Sequence, residues 1–364
     1  MDGPRPLFEA ELPDLVQFLS THLRPDHAWS IDEEYPLAIH SENLNNVRVI
    51  KENGAFLSAA VMKPVIIKSP VGIFKAAAIG SVVTDPSRRN QGLSTKVLEA
   101  SLQAARDHGC DFAILWTNLF DFYRRYGFEV AGTEVSLKLP MNLKVTETPD
   151  ARHMMSAQVD PQAILRLYNQ HTTGVVRTAD DIRRFLKIPN TRVYTSWDSQ
   201  NRLQAYAVEG KGADLNGYIH EWGGGVSKLM PLLKFALHLS KRPLHLIAPS
   251  HSANLIRQLE LAGAKSTQGV LGMVKILNAP NLLLKVKRFI RNSGFDDIVL
   301  EPREGRFYMG YRQEIFSTNA ETDLVRLIFG PLKASELKVF DAETAAALER
   351  FLPISMWIWG WDSV

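Results

Sequence analysis

Cysteine is nearly absent: Cys110 stands alone among 364 residues. One thiol excludes an internal disulfide and fits a reducing compartment. No run approaches the roughly 20 apolar residues needed to cross a bilayer. The opening residues, MDGPRPLFEAELPDL, carry acids and no apolar core, unlike a secretory leader. A cytoplasmic protein without a membrane partner is expected. An excess of either charge is missing too. The net charge is +3, and the basic residues are scattered without a polybasic patch, so no nucleic-acid partner is expected. Hydrophobic content of 45% and charged content of 22% describe a soluble globular chain, too long for one small domain.

The informative stretch is 79–128, IGSVVTDPSRRNQGLSTKVLEASLQAARDHGCDFAILWTNLFDFYRRYGF. Ala76 to Val83 is apolar and suits a buried strand, which Asp85-Pro86-Ser87 stops with turn chemistry. From Leu93, apolar residues at Val97, Leu98, Leu102 and Ala105 recur at helical spacing, and Gly109 ends that helix. Phe112 to Trp116 reads as the next strand. The junction Arg88-Arg89-Asn90-Gln91-Gly92-Leu93-Ser94 therefore lies between a strand and a helix N-terminus. Backbone N–H groups there lack partners within the helix and favour an anion. Gly92 lets the backbone approach a phosphate, and Ser94 is small and carries a hydroxyl. A solvated basic turn that caps a helix has the same composition, so the loop alone decides nothing.

Two motifs in order add to it. Thr84-Asp85-Pro86, then Arg89-x-x-Gly92-x-Ser94, and downstream Phe122-Tyr123-Arg124-Arg125-Tyr126-Gly127-Phe128-Glu129, resemble the GNAT superfamily of acyl-CoA N-acyltransferases. Ser94 stands where that family usually has Gly or Ala. The resemblance implies that the amides of Gln91, Gly92, Leu93 and Ser94, with Arg88, Arg89 and Asn90 beside them, bind the pyrophosphate of acetyl-CoA. It implies that Val82 and Val83 pair with the pantetheine arm. Asn118 sits near a family asparagine that contacts coenzyme A, at a shorter spacing from Phe122-Tyr123 than usual. Tyr123 falls where many members keep a tyrosine that protonates the leaving thiolate. A phenol with a pKa near 10 is protonated at neutral pH and can act as a general acid; an aromatic core residue is the alternative. No metal is expected.

The proton acceptor is harder to place. Many members put an acid on the strand before the loop, and Phe74 to Thr84 has none. Near the start, HAWSIDEEYP offers Trp29, Asp32, Glu33 and Glu34, where the family places its acceptor-binding helix and loop. An aromatic and acidic cluster suits a cationic amine. The same residues read equally as a helix start with Ser30 as N-cap and Glu33 as its capping-box partner.

A polar, proline-containing stretch near 142–155 suggests a domain limit, which we set between 147 and 148. Beyond it a second alternating pattern runs to 278. Pro161–Tyr168 and Asp180–Leu186 read as helices; Arg192–Trp197, Leu203–Glu209 and Gly217–Trp222 read as strands. Gly223-Gly224-Gly225, a helix Ser227–Leu239, a strand Leu244–Ala248 and a helix from Ala253 follow. This repeats the strand, glycine turn, helix, strand order and implies a second, degenerate GNAT-like domain. His220 and Glu221 look like a catalytic pair, but neighbours on a strand face opposite ways.

Residues 279–364 carry a helix, strand-like pieces, two more helices and the tail PISMWIWGWDSV. Their order resembles the sterol-carrier-protein-like domain that ends tandem-GNAT acetyltransferases of the enhanced-intracellular-survival type. In that family the chain's own C-terminal carboxylate reaches the active site. The resemblance implies that the Val364 carboxylate, or Asp362, accepts the amine proton, with three tryptophans burying the tail. The expected fold class is thus α/β with an α+β third domain: a catalytic GNAT domain at 1–147 with a mixed central sheet, a degenerate one at 148–278, and a sterol-carrier-like one at 279–364. The expected reaction is transfer of acetyl from acetyl-CoA to a primary amine, on a small molecule or a lysine, by direct attack. The rivals are a non-enzymatic acyl-CoA-binding scaffold and an aminoacyl- or thiol-conjugating transferase of the same tandem fold. A homo-oligomer is left open.

Overall fold

The computed structural model describes residues 1–146 and 151–364. The domain limit expected between 147 and 148 lies outside the described residues. The chain forms three sheets with helices packed on them, in the α/β class that the pattern implies.

The first sheet runs in the order Asp2–Pro6, Val47–Glu52, Ala55–Ser69, Gly72–Thr84, Phe112–Leu115, Gly272–Ile276, Glu129–Ala131. Its pairs are antiparallel except Gly72–Thr84 with Phe112–Leu115, which are parallel. A parallel pair needs a crossover, and the helix Leu93–Asp107 supplies it. That helix forms because Leu93, Val97, Leu98, Leu102 and Ala105 line one face, and all five are buried on the sheet. Full burial of a leucine or valine contributes about 1.5–3 kcal/mol each. Gly109, at φ +70°, lets the chain leave the helix in a conformation that costs other residues strain. Ala76 to Ile79 read as a continuous apolar run because both faces of their strand are covered.

The second sheet repeats this plan. Its order is Lys265–Gly269, Glu134–Leu139, Leu244–Pro249, Asp214–Gly224, Leu203–Lys211, Arg192–Trp197, Arg152–Met155. Its one parallel pair, Asp214–Gly224 with Leu244–Pro249, is joined by the helix Val226–Ser240. The sheets also exchange strands. Glu134–Leu139, which follows the first strand–helix–strand unit, pairs with Leu244–Pro249 and Lys265–Gly269 in the second sheet. Gly272–Ile276, which follows the second unit, inserts between Phe112–Leu115 and Glu129–Ala131 in the first.

The remaining residues make a three-stranded antiparallel sheet, Ile298–Arg303, Arg306–Tyr311 and Glu314–Thr318, with helices Ala279–Asn292, Glu321–Phe329 and Ala342–Leu348. Helix Glu321–Phe329 packs on the exchanged strand Gly272–Ile276 and on Glu129–Ala131. Phe329 stands edge-on to Phe112 at 5.2 Å, and its carbonyl accepts the Gly132 N–H at 2.9 Å. The tail then threads back between the first two sheets with Trp357, Trp359 and Trp361 all buried. Among the described residues no helix is long and apolar enough to cross a membrane.

Candidate active site

The site begins where two strands part. Gly72–Thr84 and Phe112–Leu115 pair only through Ala76, Ala77 and Ala78. Beyond them the register of Gly72–Thr84 against Ala55–Ser69 shifts at Ser81, which adopts φ +49°. An extra residue in one strand bends it and raises its twist. The bulge thus turns the strand away and leaves an unpaired edge from Ile79 onward. A cavity of about 610 Å³ opens at this split, with Ile79, Gly80, Ser81 and Val82 on one wall and Leu115, Trp116 and Thr117 on the other. Val82 faces this cavity, whereas Val83 is buried and pairs with Ala59. An extended ligand can therefore add to the free edge by main-chain hydrogen bonds.

At the end of the same strand the basic loop turns into the helix. The first backbone bond of that helix runs from the Lys96 N–H to the Gly92 carbonyl at 3.1 Å. The preceding N–H groups of Leu93, Ser94 and Thr95 therefore point out of the helix end. Gly92 takes φ +72° and Asn90 φ +62°, the alternation that makes a concave set of N–H groups. Arg89, Asn90, Gln91 and Gly92 are exposed, Ser94 is half-buried, and Leu93 is buried under the helix. Arg88 turns away and pairs with Glu52. Of the two arginines, Arg89 is the one open to an anion.

Tyr123, in the short helix Phe120–Arg124, lines the cavity with its ring packed edge-on to Phe122 and Phe128. Burial raises the pKa of its phenol, with Tyr126 adding to the effect, so the group is protonated over the whole physiological range. Among the described residues its hydroxyl has no hydrogen-bond partner. Tyr126 is differently placed: its hydroxyl meets Thr95 Oγ1 at 2.5 Å and ties this helix to the start of Leu93–Asp107. Asn118 is exposed and stands outside the cavity wall, which its neighbours Thr117 and Leu119 help to form.

The tail completes the site from the far end of the chain. Val364 and Ser363 line the same cavity. The Val364 carboxyl carbon lies 2.3 Å, and its oxygen 2.4 Å, from the point where a Cβ on Gly80 would stand. Only glycine lets the terminus seat there. Asp362 faces the other way. Its Oδ2 accepts from Arg177 Nε at 2.9 Å and Nη2 at 2.7 Å, while Glu221 takes the rest of that guanidinium. Arg177 is fully buried, and Asp362 with Glu221 holds it charged against the cost of burial. This ion triad anchors the tail, and Asp362 lies outside the cavity wall.

The N-terminal cluster separates. Glu34 is wholly buried and accepts from Arg24 Nε at 2.6 Å, Trp29 Nε1 at 2.5 Å and the Ala213 N–H at 2.8 Å. Its oxygens are committed to holding this segment against the second sheet. Glu33 accepts the Ser30 N–H at 2.9 Å in the capping box. Trp29, Glu33 and Glu34 all stand outside the cavity, and their segment contributes Arg24, Ile31 and Tyr35 to it instead. Arg24 and Tyr35 both bond Asp214, at 2.9 and 2.6 Å.

Two further titratable groups face the cavity. Glu134, at the start of an exchanged strand, is pushed up to about 7 by burial. A single acid opening the alternating run EVSLKL was its only trace in the sequence. His220 lines the cavity while Glu221 points to Arg177, the opposite facing that strand geometry requires. His220 Nε2 lies 2.9 Å from the Gly210 carbonyl, which can only accept, so the proton sits there and Nδ1 is bare. Burial brings this imidazole down to about 3, and it is neutral. Among the described residues no cluster of metal-ligating side chains occurs.

Comparison with known proteins accords with this geometry. Residues 5–131 match the model described as an acetyltransferase (GNAT) domain. No curated protein matches the chain in sequence. Among solved structures the chain is similar to a GCN5-related N-acetyltransferase from Anabaena variabilis, with a TM-score of 0.68 at 15% identity over 97% of this chain and 98% of that one. It is also similar to a conserved protein of unknown function from Enterococcus faecalis, described as a probable N-acyltransferase, with a TM-score of 0.67 at 14% identity over 98% and 97%. A third is Eis1 from Mycobacterium abscessus, with a TM-score of 0.61 at 12% identity over 97% of both chains. At such identities the likeness concerns the fold. Residues 5–131 are thus similar to a GNAT acetyltransferase domain, and the chain as a whole has the fold of these three proteins, which are of about its own length.

Proposed function

We propose that the protein transfers the acetyl group of acetyl-CoA to a primary amine. The observation that carries this reading is the meeting of three parts in one cavity: a free strand edge, the Tyr123 phenol and the Val364 carboxylate on Gly80. The pyrophosphate would lie on the N–H groups from Gln91 to Ser94 with Arg89 beside it, and the pantetheine arm along Gly80 to Val82. This arm would present the thioester between the strands. The amine nitrogen attacks the thioester carbon, a C–N bond forms, and the C–S bond breaks. Val364 accepts the amine proton, and Tyr123 donates its phenolic proton to the leaving sulfur. The amine arrives as an ammonium, which has no lone pair until Val364 takes one proton; a second N–H proton is shed as the amide forms and replaces the one that Tyr123 gives to sulfur, so the phenol is restored and coenzyme A leaves as the thiol. Trp116, Leu215, Ile247, Leu271 and Trp357 would give the thioester apolar walls on that side of the cavity.

The first test is calorimetric titration of acetyl-CoA into the native protein and into an Arg89→Glu, Gly92→Asp double variant. Micromolar binding by the first and none by the second supports the cofactor and the loop; an amine panel read by thiol release then identifies the acceptor. Absence of binding by the native protein refutes the cofactor assignment and leaves a scaffold.

A further inference from the structure

Lys211 takes no part in the steps above, yet its placement is unusual. It ends the strand Leu203–Lys211, is only 1% exposed, and forms no ion pair among the described residues. Burial brings its amine down to about 7, and in the charged form it carries three N–H donors. They reach the Ser363 carbonyl at 2.5 Å, the Gly360 carbonyl at 3.0 Å and Ser363 Oγ at 3.0 Å. Ser363 Oγ in turn donates to the Gly360 carbonyl at 2.7 Å. The fourth side is covered by the Tyr35 ring, whose centroid lies 4.7 Å away.

All these acceptors belong to the last turn of the chain, Gly360–Asp362 and the residue after it. The Ser363 carbonyl is part of the peptide plane that carries Val364. Gripping that oxygen fixes the direction in which the final residue leaves, and that direction sets the carboxyl group on Gly80. Burying a cation without a counter-ion is costly, and an apolar side chain of the same length would fill the space with less penalty. Packing therefore does not explain a lysine here, whereas a demand for three convergent donors does. Arg177 anchors the tail one residue earlier through the Asp362 side chain, and the Ser363 N–H bonds the Gly360 carbonyl at 3.3 Å, but neither holds the Ser363 carbonyl, about which the final residue could still turn. Lys211 is the group that removes this freedom.

We propose that Lys211 is a positioning residue that holds the final turn so that the Val364 carboxylate stands at the reacting centre. The inference rests on the proposed role of that carboxylate. It is tested by Lys211→Met, which keeps the stem and loses the donors, in two backgrounds: the native terminus, and a terminus extended by three glycines that carries the carboxylate away. With the native terminus, kcat should fall about 100-fold with KM for acetyl-CoA unchanged within about twofold. In the extended background, already slow, Lys211→Met should change kcat by less than about twofold, because the group it positions is gone. An equal loss in both backgrounds makes Lys211 merely structural and overturns the inference. An extension that leaves kcat intact refutes the base itself and the inference with it. Native kcat for Lys211→Met beside a slow extended chain refutes the inference alone. Should Lys211→Met fail to fold, Ser363→Ala removes one acceptor only, and should slow the native chain severalfold and the extended chain not at all; equal effects overturn the inference.

Discussion

Gly80→Ala places a single methyl group where the end of the chain now lies. The glycine is in extended backbone, so alanine meets no conformational penalty and the effect is one of space alone. Its Cβ would stand 2.3 Å from the Val364 carboxyl carbon and 2.4 Å from its oxygen. Carbon atoms in contact prefer about 3.5–4.0 Å, so the terminus must retreat by about 1 Å or more. A misplacement of that size at a reacting group costs on the order of 10²-fold, equivalent to about 2.7 kcal/mol of barrier. Overpacking adds about 1–3 kcal/mol of lost stability, partly offset by alanine's better strand propensity. Steady-state thiol release with a saturating amine should show the fall in kcat with KM for acetyl-CoA nearly unchanged. In a chain shortened by Val364 the same substitution should be neutral for stability, since nothing remains to clash. A Gly80→Ala protein with native kcat, or one changed only in its KM for acetyl-CoA, would refute the placement of the carboxylate at the reaction.

Tyr123→Phe should lower kcat about 10- to 100-fold while leaving the melting temperature within about two degrees, because the lost hydroxyl bonds to none of the described residues; an unchanged kcat removes the general acid. Arg177→Met leaves Glu221 and Asp362 facing each other in the interior, and urea melts should show a loss of about 3–5 kcal/mol with altered tryptophan fluorescence. Glu134 tests the burial of the cavity wall. Its carboxyl is raised to about 7 in the folded protein, so the folded state holds a proton that the unfolded chain releases near 4.5. Its contribution is intact below about pH 4.5 and is lost as pH rises through 7. Glu134→Gln should therefore match the native protein in urea melts near pH 4.5 and exceed it by about 3 kcal/mol at pH 8. A constant difference across that window would refute the shift.

Local chemistry was legible in the sequence. Pro161–Tyr168 and Arg192–Trp197 occur with the limits that periodicity implies, because each has its own stop signals. Strands that depend on distant partners were not legible. Lys265–Gly269 is polar and mostly exposed, so it carries no alternation, and only its pairing with Glu134–Leu139 makes it a strand. The hairpin Val47–Glu52 and Ala55–Ser69 and the helix Leu12–Leu23 also went unread, although they build much of the first sheet's surroundings. At the site, contiguous motifs such as the loop and the Tyr123 segment could be found because one stretch of chain holds them. Glu134, His220, Asp214 and Lys211 meet only through tertiary folding, and no spacing announces that. The acids at Glu33 and Glu34 show the converse: their composition suited an amine, while Ser30 and Arg24 already claimed them.

The exchanged strands bear on how the molecule is made. Glu129–Ala131 joins the first sheet only through Gly272–Ile276, which is synthesised about 140 residues later. A nascent chain emerging from the ribosome must therefore hold an open edge at Phe112–Leu115 while the whole second unit is translated, and closing so long a loop is slow. An unpaired apolar edge of this kind is where chains stick to one another. Splitting the protein at its apparent midpoint for separate expression would leave each half missing a strand that the other half encodes, so the two units are inherited and folded as one.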